Sequence, residues 1–150
     1  MKEVFKQRTQ GLIYSIQLCP GHRKDMQGVK YVEVLENFGL VGDRHAITDS
    51  SRQVLLIELE ALEELGLKPG QVKENITTQG LSLMQLLPMQ QLKIGSQVIL
   101  EITQPCTPCH RMDEIRQGLF QEIAGRRGML AKVVRGGEIR RGDQIDIIPV

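Results

Sequence analysis

Tryptophan is absent from this sequence, and its two Tyr and three Phe residues make up only 3% of the chain. So few flat side chains exclude the stacking platforms of single-strand nucleic-acid binders and the aromatic cages that hold quaternary amines. A net field of one sign is missing too: 19 Lys and Arg stand against 18 Asp and Glu, leaving +1. Generic nucleic-acid binding is therefore not expected, and any anionic ligand must be held by a local cluster of cations. No stretch approaches the roughly 18 apolar residues of a membrane span. The first residues, Met1-Lys2-Glu3-Val4-Phe5-Lys6-Gln7-Arg8, contain no apolar export segment, so a cytoplasmic protein without membrane partners is expected. Cysteine is sparse: Cys19, Cys106 and Cys109 complete the list. In a reducing compartment they are packing residues, metal ligands or reactive thiols rather than a disulfide framework. What is present is 150 residues with 41% hydrophobic content, enough to bury one continuous core, so residues 1–150 are expected to form a single domain.

Apolar residues alternate with a period of two at Leu12, Tyr14, Ile16 and Leu18 and again at Val32 and Val34, the mark of half-buried strands. Residues 92–94 and 97–102 flank Gly95-Ser96 as a hairpin. A further pair is expected between 129–134 and 144–148, joined across Gly136-Gly137 and Arg141-Gly142-Asp143. Helical signals are fewer. They cover residues 58–65 ending at Gly66, a short turn from Ser82 to Leu87 before Pro88, and residues 113–124 with Gly118 inside. Six or seven short strands without regular strand–helix alternation predict a mainly β protein, a closed or partly closed β-barrel with a few short peripheral helices.

The sharpest local feature is Gln104-Pro105-Cys106-Thr107-Pro108-Cys109-His110. Its prolines cannot donate to a strand ladder, so it reads as a rigid loop leaving a strand end, with Cys109 facing a cleft. His110 and Arg111 follow Cys109, and nearby positive charge favours a thiolate over a thiol. A thiolate is the form that ligates a soft metal or carries sulfur as a persulfide. Other chemistries share this spacing. Cys-x-x-Cys-His is the spacing of covalent haem attachment, which calls for an exported protein. A thioredoxin-like pair belongs at a helix start in an early βαβ unit, although a reversible Cys106–Cys109 disulfide stays open. Cys19, His22, Cys106 and Cys109 together would supply four tetrahedral zinc ligands.

Two further segments carry polar chemistry. In Gly39-Leu40-Val41-Gly42-Asp43-Arg44-His45, followed by Arg52, the guanidinium forks suit phosphate and His45 can bond a ligand or shuttle a proton. The plainer alternative is an exposed turn in which Asp43 satisfies Arg44. In Val72-Lys73-Glu74-Asn75-Ile76-Thr77-Thr78-Gln79-Gly80, Asn75 either binds a heterocycle edge or bridges backbone groups, and Glu74 is a structural partner of an Arg or a catalytic acid. Arg135-Gly136-Gly137-Glu138 is an anion-binding loop or a tight turn, and Cys19 alone reads as a small buried hydrophobe.

Taken in order, Gly42-Asp43-Arg44-His45, Arg52-Gln53-Val54 with Glu58, Glu74-Asn75-Ile76 with Gly80, and Pro108-Cys109 resemble the MOSC domain, the module named for the C-terminal part of molybdenum cofactor sulfurases. The later run from Gly128-Met129-Leu130 through Gly136-Gly137-Glu138-Ile139 to Arg141-Gly142-Asp143 is similar to the ending of stand-alone bacterial members. The likeness covers roughly residues 8 to 148. It implies a β-barrel with a functional cysteine at Cys109, coordinating molybdenum in a bound molybdenum cofactor (molybdopterin) or carrying sulfur for metallocluster assembly. Several members reduce N-hydroxylated compounds with electrons from partner proteins, and pyridoxal phosphate binding is a further association. Carried onto this chain, Cys109 and His45 are the candidate catalytic residues. Asp43, Arg44, His45, Arg52, Asn75 and His110 are the candidate cofactor contacts, with Cys106 as a second thiol. Many members carry Arg where this sequence has Cys106, which opens a persulfide or disulfide route. The alternative from another class is a non-catalytic accessory protein held by the Cys19/His22/Cys106/Cys109 zinc site.

Overall fold

A computed structural model describes residues 7–149; residues 1–6, part of the opening segment read above, lie outside the described residues. Eleven strands run in chain order: β1 (Gln10–Leu18), β2 (Gln27–Val29), β3 (Tyr31–Leu35), β4 (Gly39–Leu40), β5 (Val54–Glu58), β6 (Ile76–Gln79), β7 (Gln91–Ile94), β8 (Val98–Pro105), β9 (Met129–Arg135), β10 (Gly137–Arg140) and β11 (Gln144–Ile148). Three short helices, α1 (Leu59–Glu64), α2 (Met112–Ile115) and α3 (Leu119–Glu122), and a 3-10 turn at Leu83–Gln85 complete the described elements. Among them no helix is long and apolar enough to cross a membrane.

Seven strands close into a barrel in the order β11-β7-β8-β9-β5-β6-β1, with the ring sealed by antiparallel pairing of β1 to β11. Closure removes the unpaired edges that an open sheet would present. β2 extends the sheet beyond β1, and β10-β3-β4 form a separate three-stranded sheet. Among the described strands only β5 and β6 pair in parallel. That geometry requires a crossover, and α1 with the loop to Asn75 supplies it. The barrel interior is filled by aliphatic side chains, among them Ile13, Ile16, Leu56, Ile94, Leu100 and Val133. A second apolar cluster beside the barrel, built from Ile57, Leu62, Leu67, Val72, Met112, Leu119 and Ile123, seats the three helices.

The mainly β barrel expected from the sequence is present, with local differences. Residues 129–134 and 144–148 are both strands but do not pair: β9 lies between β8 and β5, and β11 between β7 and β1. The chain between them forms β10, which pairs with β3 instead. The strand count exceeds six or seven because the short β2, β4 and β10 are added, along with β5 and β6, which carry no alternation. Both are buried nearly throughout, and a two-face-buried strand shows a continuous apolar or Thr-rich run rather than a period of two. The helix expected over 113–124 is split into α2 and α3 at Gly118, whose φ of 90° starts α3 afresh. Ser82 does not cap the turn after it; its hydroxyl accepts from the Arg8 amide at 2.8 Å.

One glycine fixes how the barrel meets the cysteine loop. Gly128 sits at φ +104 just before β9, and a Cβ there would press into the carbonyl oxygen of Leu56. Its own carbonyl accepts the Cys106 amide at 2.9 Å. Gly128→Ala is therefore expected to lower unfolding free energy by about 2–4 kcal/mol, read as a lower urea midpoint at unchanged slope.

Candidate functional site

Two adjoining cavities open beside the barrel, of about 480 Å³ and 350 Å³. Arg44, His45, Lys73 and Arg127 line both. The larger is completed by Arg52, Asn75 and Cys106 among others, and no carboxylate is among its described lining residues. The smaller adds Cys19, His22, Arg23, Cys109 and Arg111, with Glu114 as its one acidic residue among those described. A chain of net charge +1 has thus gathered permanent cations around one cleft, the local cluster that composition demanded of an anion binder.

Sequence dictates the loops that carry these groups. Asp43 is buried with its side chain fully covered; Oδ1 accepts the Cys19 amide at 2.8 Å and Oδ2 the His45 amide at 3.2 Å. Its carboxylate therefore pins the end of β1 to the Arg44-His45 turn, and it neither pairs with Arg44 nor lines a cavity. His45 lies at the cavity wall with Nδ1 3.8 Å from Asp43. Arg52 reaches the larger cavity from the turn before β5.

Asn75 lines the larger cavity but spends its polar atoms on the backbone. Its Oδ1 accepts the Leu55 amide at 3.0 Å and its Nδ2 donates to the Gln17 carbonyl at 3.2 Å. Its own amide donates to the Leu55 carbonyl and its carbonyl accepts the Gln17 amide, both at 2.8 Å. Of the two roles read from sequence, the backbone bridge is the one observed. Glu74 next to it is buried. Its Oε2 accepts from the Gly70 amide at 2.9 Å and from the Thr77 hydroxyl at 2.8 Å, while Oε1 has no partner among the described residues. Burial pushes its carboxyl above the ordinary value, against the pull of those hydrogen bonds and the charge of Arg127.

The cysteines divide between the cavities. Cys106 is buried and lines the larger, Cys109 is exposed and lines the smaller; all three cysteines are free thiols. Cys109 accepts the Met112 amide at its carbonyl, 3.0 Å away, and Met112 is buried in the second apolar cluster, so the loop is anchored from below. Cys19 behaves as the small buried residue expected, its Sγ donating to the Gly21 carbonyl at 3.4 Å. Among the described residues no three His, Cys, Asp or Glu side chains assemble as a metal-holding group. Cys19, His22, Cys106 and Cys109 therefore do not form the tetrahedral zinc set that their spacing allowed. His110 lines neither cavity: its ring stacks on Phe120 with centroids 4.3 Å apart and planes 19° off parallel, so it is not placed as a cofactor contact.

Sequence reasoning missed Lys73 and Arg127 altogether. Lys73 donates to the Lys24 carbonyl at 2.7 Å while lining both cavities. Arg127 is 7% exposed and donates from Nη2 to the Val72 carbonyl at 2.7 Å. Nothing in Gly125-Arg126-Arg127-Gly128 sets the second arginine apart from the first, which pairs with Glu64 in solvent at 2.7 Å. Only the fold turns one inward.

The structure is a closed β-barrel with an exposed cysteine beside a cleft lined by cations. The MOSC domain model matches residues 42–146, and the chain belongs to that family. The family is associated with molybdenum cofactor binding and with sulfur-related function. Solved structures of similar fold include the YuaD protein from Bacillus subtilis (16% identity, TM-score 0.81, covering 92% of this chain and 95% of that one). YiiM from Geobacillus stearothermophilus is similar at 20% identity and TM-score 0.72, over 93% of this chain and 75% of that one. YiiM from Escherichia coli is similar at 17% identity and TM-score 0.69, over 93% and 70%. No curated protein sequence matches the chain.

Two measurements follow. Asn75→Ala leaves a buried amide and carbonyl without their side-chain partners and should cost about 2–4 kcal/mol of stability, seen by chemical denaturation. His22 reports the cleft's field: lost hydration and the charges of Arg44, Arg111 and Arg23 hold its imidazole below the ordinary 6.5. Neutral His22 accepts from Arg44 Nη1 at 3.3 Å, so this contact is present above the ordinary range and lost as pH falls through the lowered pKa. Proton NMR titration should place the midpoint below 6.5, and Arg44→Gln should raise it.

Proposed function

We propose that this chain is a molybdenum-cofactor-binding or sulfur-carrying protein in which the Cys109 thiolate is the metal ligand or the sulfur acceptor. The observation that carries the proposal is the pair of adjoining cavities, with exposed Cys109 in the smaller, Arg52 in the larger and Arg44, Lys73 and Arg127 lining both. Phosphate and dithiolene sulfurs are anionic, and a wall of guanidinium and ammonium donors has the sign and hydrogen-bonding capacity to hold them. The residues fit such a group: Arg127 Nε and Nη1 are buried without partners among the described residues, as a site awaiting an anion would leave them.

In this reading Arg44, Arg52 and Lys73 hold the anionic ligand. His45 donates or accepts a proton at the wall that Cys109 shares, and Asp43 and Asn75 position the loops without touching ligand. When bound, the cofactor supplies a redox-active metal for oxygen-atom removal from an N-hydroxylated substrate, with electrons delivered by a partner protein. In the sulfur-carrying arm Cys109 Sγ attacks the outer sulfur of a donor persulfide. The donor S–S bond breaks, the donor leaves as a thiolate, and a new persulfide forms on Cys109. The exposure of Cys109 suits delivery between proteins. The same cationic wall suits the phosphate of pyridoxal phosphate, and a cytoplasmic setting keeps the thiols reduced.

Protein purified without reductant from cells supplied with molybdate should carry molybdenum or a one-sulfur mass increment, and Cys109→Ser should lose it while keeping the wild-type circular dichroism. Full molybdenum and sulfur loading in Cys109→Ser would overturn the assignment.

A further inference from the structure

We infer that the loop between β1 and β2, residues 20–25, is a latch over the smaller cavity that occupies two of the cleft's cations and swings open to release them. The loop hangs from a fixed root. Leu18 pairs with Gln27 where β1 meets β2. The Cys19 amide donates to Asp43 and the Cys19 carbonyl accepts the Arg44 amide. Beyond that root none of residues 20–25 is buried. No apolar side chain ties the loop to the core, so polar contacts alone set its position. Arg23 sits at φ 58°, a left-handed backbone conformation that L side chains rarely adopt, so the closed loop carries strain that opening can relieve.

Three contacts close the loop, each to a different part of the fold. His22 Nδ1 accepts from Arg44 Nη1 at 3.3 Å, since a guanidinium can only donate. Arg23 Nη1 lies 3.8 Å from Glu114 Oε1 on α2. The Lys24 carbonyl accepts from Lys73 Nζ at 2.7 Å. All three are exposed contacts, which water and salt weaken, so a latch made of them opens readily. Arg44 and Lys73 line both cavities, and the closed loop engages each of them through a group that a ligand of the cleft would have to displace. Whatever draws either cation away therefore loosens the loop, and whatever opens the loop frees both. Gly21, His22 and Arg23 line the smaller cavity. Cys19, 4% exposed at the root, donates from Sγ to the Gly21 carbonyl at 3.4 Å. The closed loop covers this thiol, and Cys19 reports its position. The inference rests on the proposed function for the claim that Arg44 and Lys73 hold ligand, and deepens it by naming what keeps that site closed before loading.

The test is a brief pulse of limiting iodoacetamide on the unloaded full chain, with peptide mass spectrometry giving a labelling rate for each of the three cysteines. In wild type Cys19 should react about tenfold or more slowly than the exposed Cys109. Cys106 is buried and lines the larger cavity, away from the loop, and serves as the internal reference for global loosening. His22→Ala, Glu114→Gln and Lys73→Ala each remove one closing contact. Each should raise the Cys19 rate about twofold or more, and His22→Ala combined with Glu114→Gln should raise it further, with Cys106 labelled as in wild type. An unchanged Cys19 rate across the variants, a rise that Cys106 matches, or a wild-type Cys19 as reactive as Cys109 overturns the inference. Because no sulfur or molybdenum enters this readout, its failure leaves the Cys109 loading result standing, and a failed loading result leaves the closure of the loop standing.

Discussion

Asn75 holds the barrel together at the point where the cleft begins. Four hydrogen bonds, two from its side chain and two from its backbone, tie it to both backbone groups of Leu55 and both of Gln17. The residue just before β6 therefore completes the parallel junction with β5 and the antiparallel junction with β1 at once. Gln17 answers from the other side, its Nε2 donating to the Glu74 carbonyl and the Thr77 hydroxyl. A neutral amide suits this place because it offers one acceptor and two donors without a charge to desolvate. The β5–β6 pair is parallel, the one departure from antiparallel order among the described barrel strands, and this clasp secures it.

From that junction the cleft is assembled by loops leaving strand ends. β1 delivers Cys19, which Asp43 binds through its amide. The turn after Asp43 presents Arg44 and His45, the turn before β5 presents Arg52, and the segment after β8 presents Cys106 and Cys109. Strands supply rigidity and loops supply chemistry, a common division in β-barrels. The charges are not balanced within the cleft. Exposed pairs such as Arg116–Glu122 at 2.8 Å and Arg140–Glu138 at 2.7 Å lie elsewhere, so the near-zero net charge hides a polar asymmetry that favours anions.

Much of this architecture was legible residue by residue. Alternation at Leu12 to Leu18 and at Val32 and Val34 marked β1 and β3, and Gly95-Ser96 marked the β7–β8 hairpin. The ordered motifs Gly42-Asp43-Arg44-His45, Glu74-Asn75 and Pro108-Cys109 carried the MOSC family. β5 and β6 were hidden because strands buried on both faces lose their alternation, and the partners of β9 and β11 were hidden because pairing depends on contacts distant in sequence. Within the site, Arg44, His45, Arg52 and Cys109 were read from their motifs and do line the cleft. Asn75 lines the larger cavity too while its side chain bridges backbone groups, Asp43 serves the backbone, and His110 turns to Phe120.

The sequence by itself determined the β-rich class, the family and the candidate cysteine, because local periodicity, proline-bounded loops and motif order are written along the chain. Only the tertiary structure decided which cations share a wall with that cysteine. Arg126 and Arg127 are adjacent and chemically identical, yet one meets solvent and Glu64 while the other is buried between two cavities. Burial is a property of what packs around a residue, and no stretch of neighbouring letters specifies it.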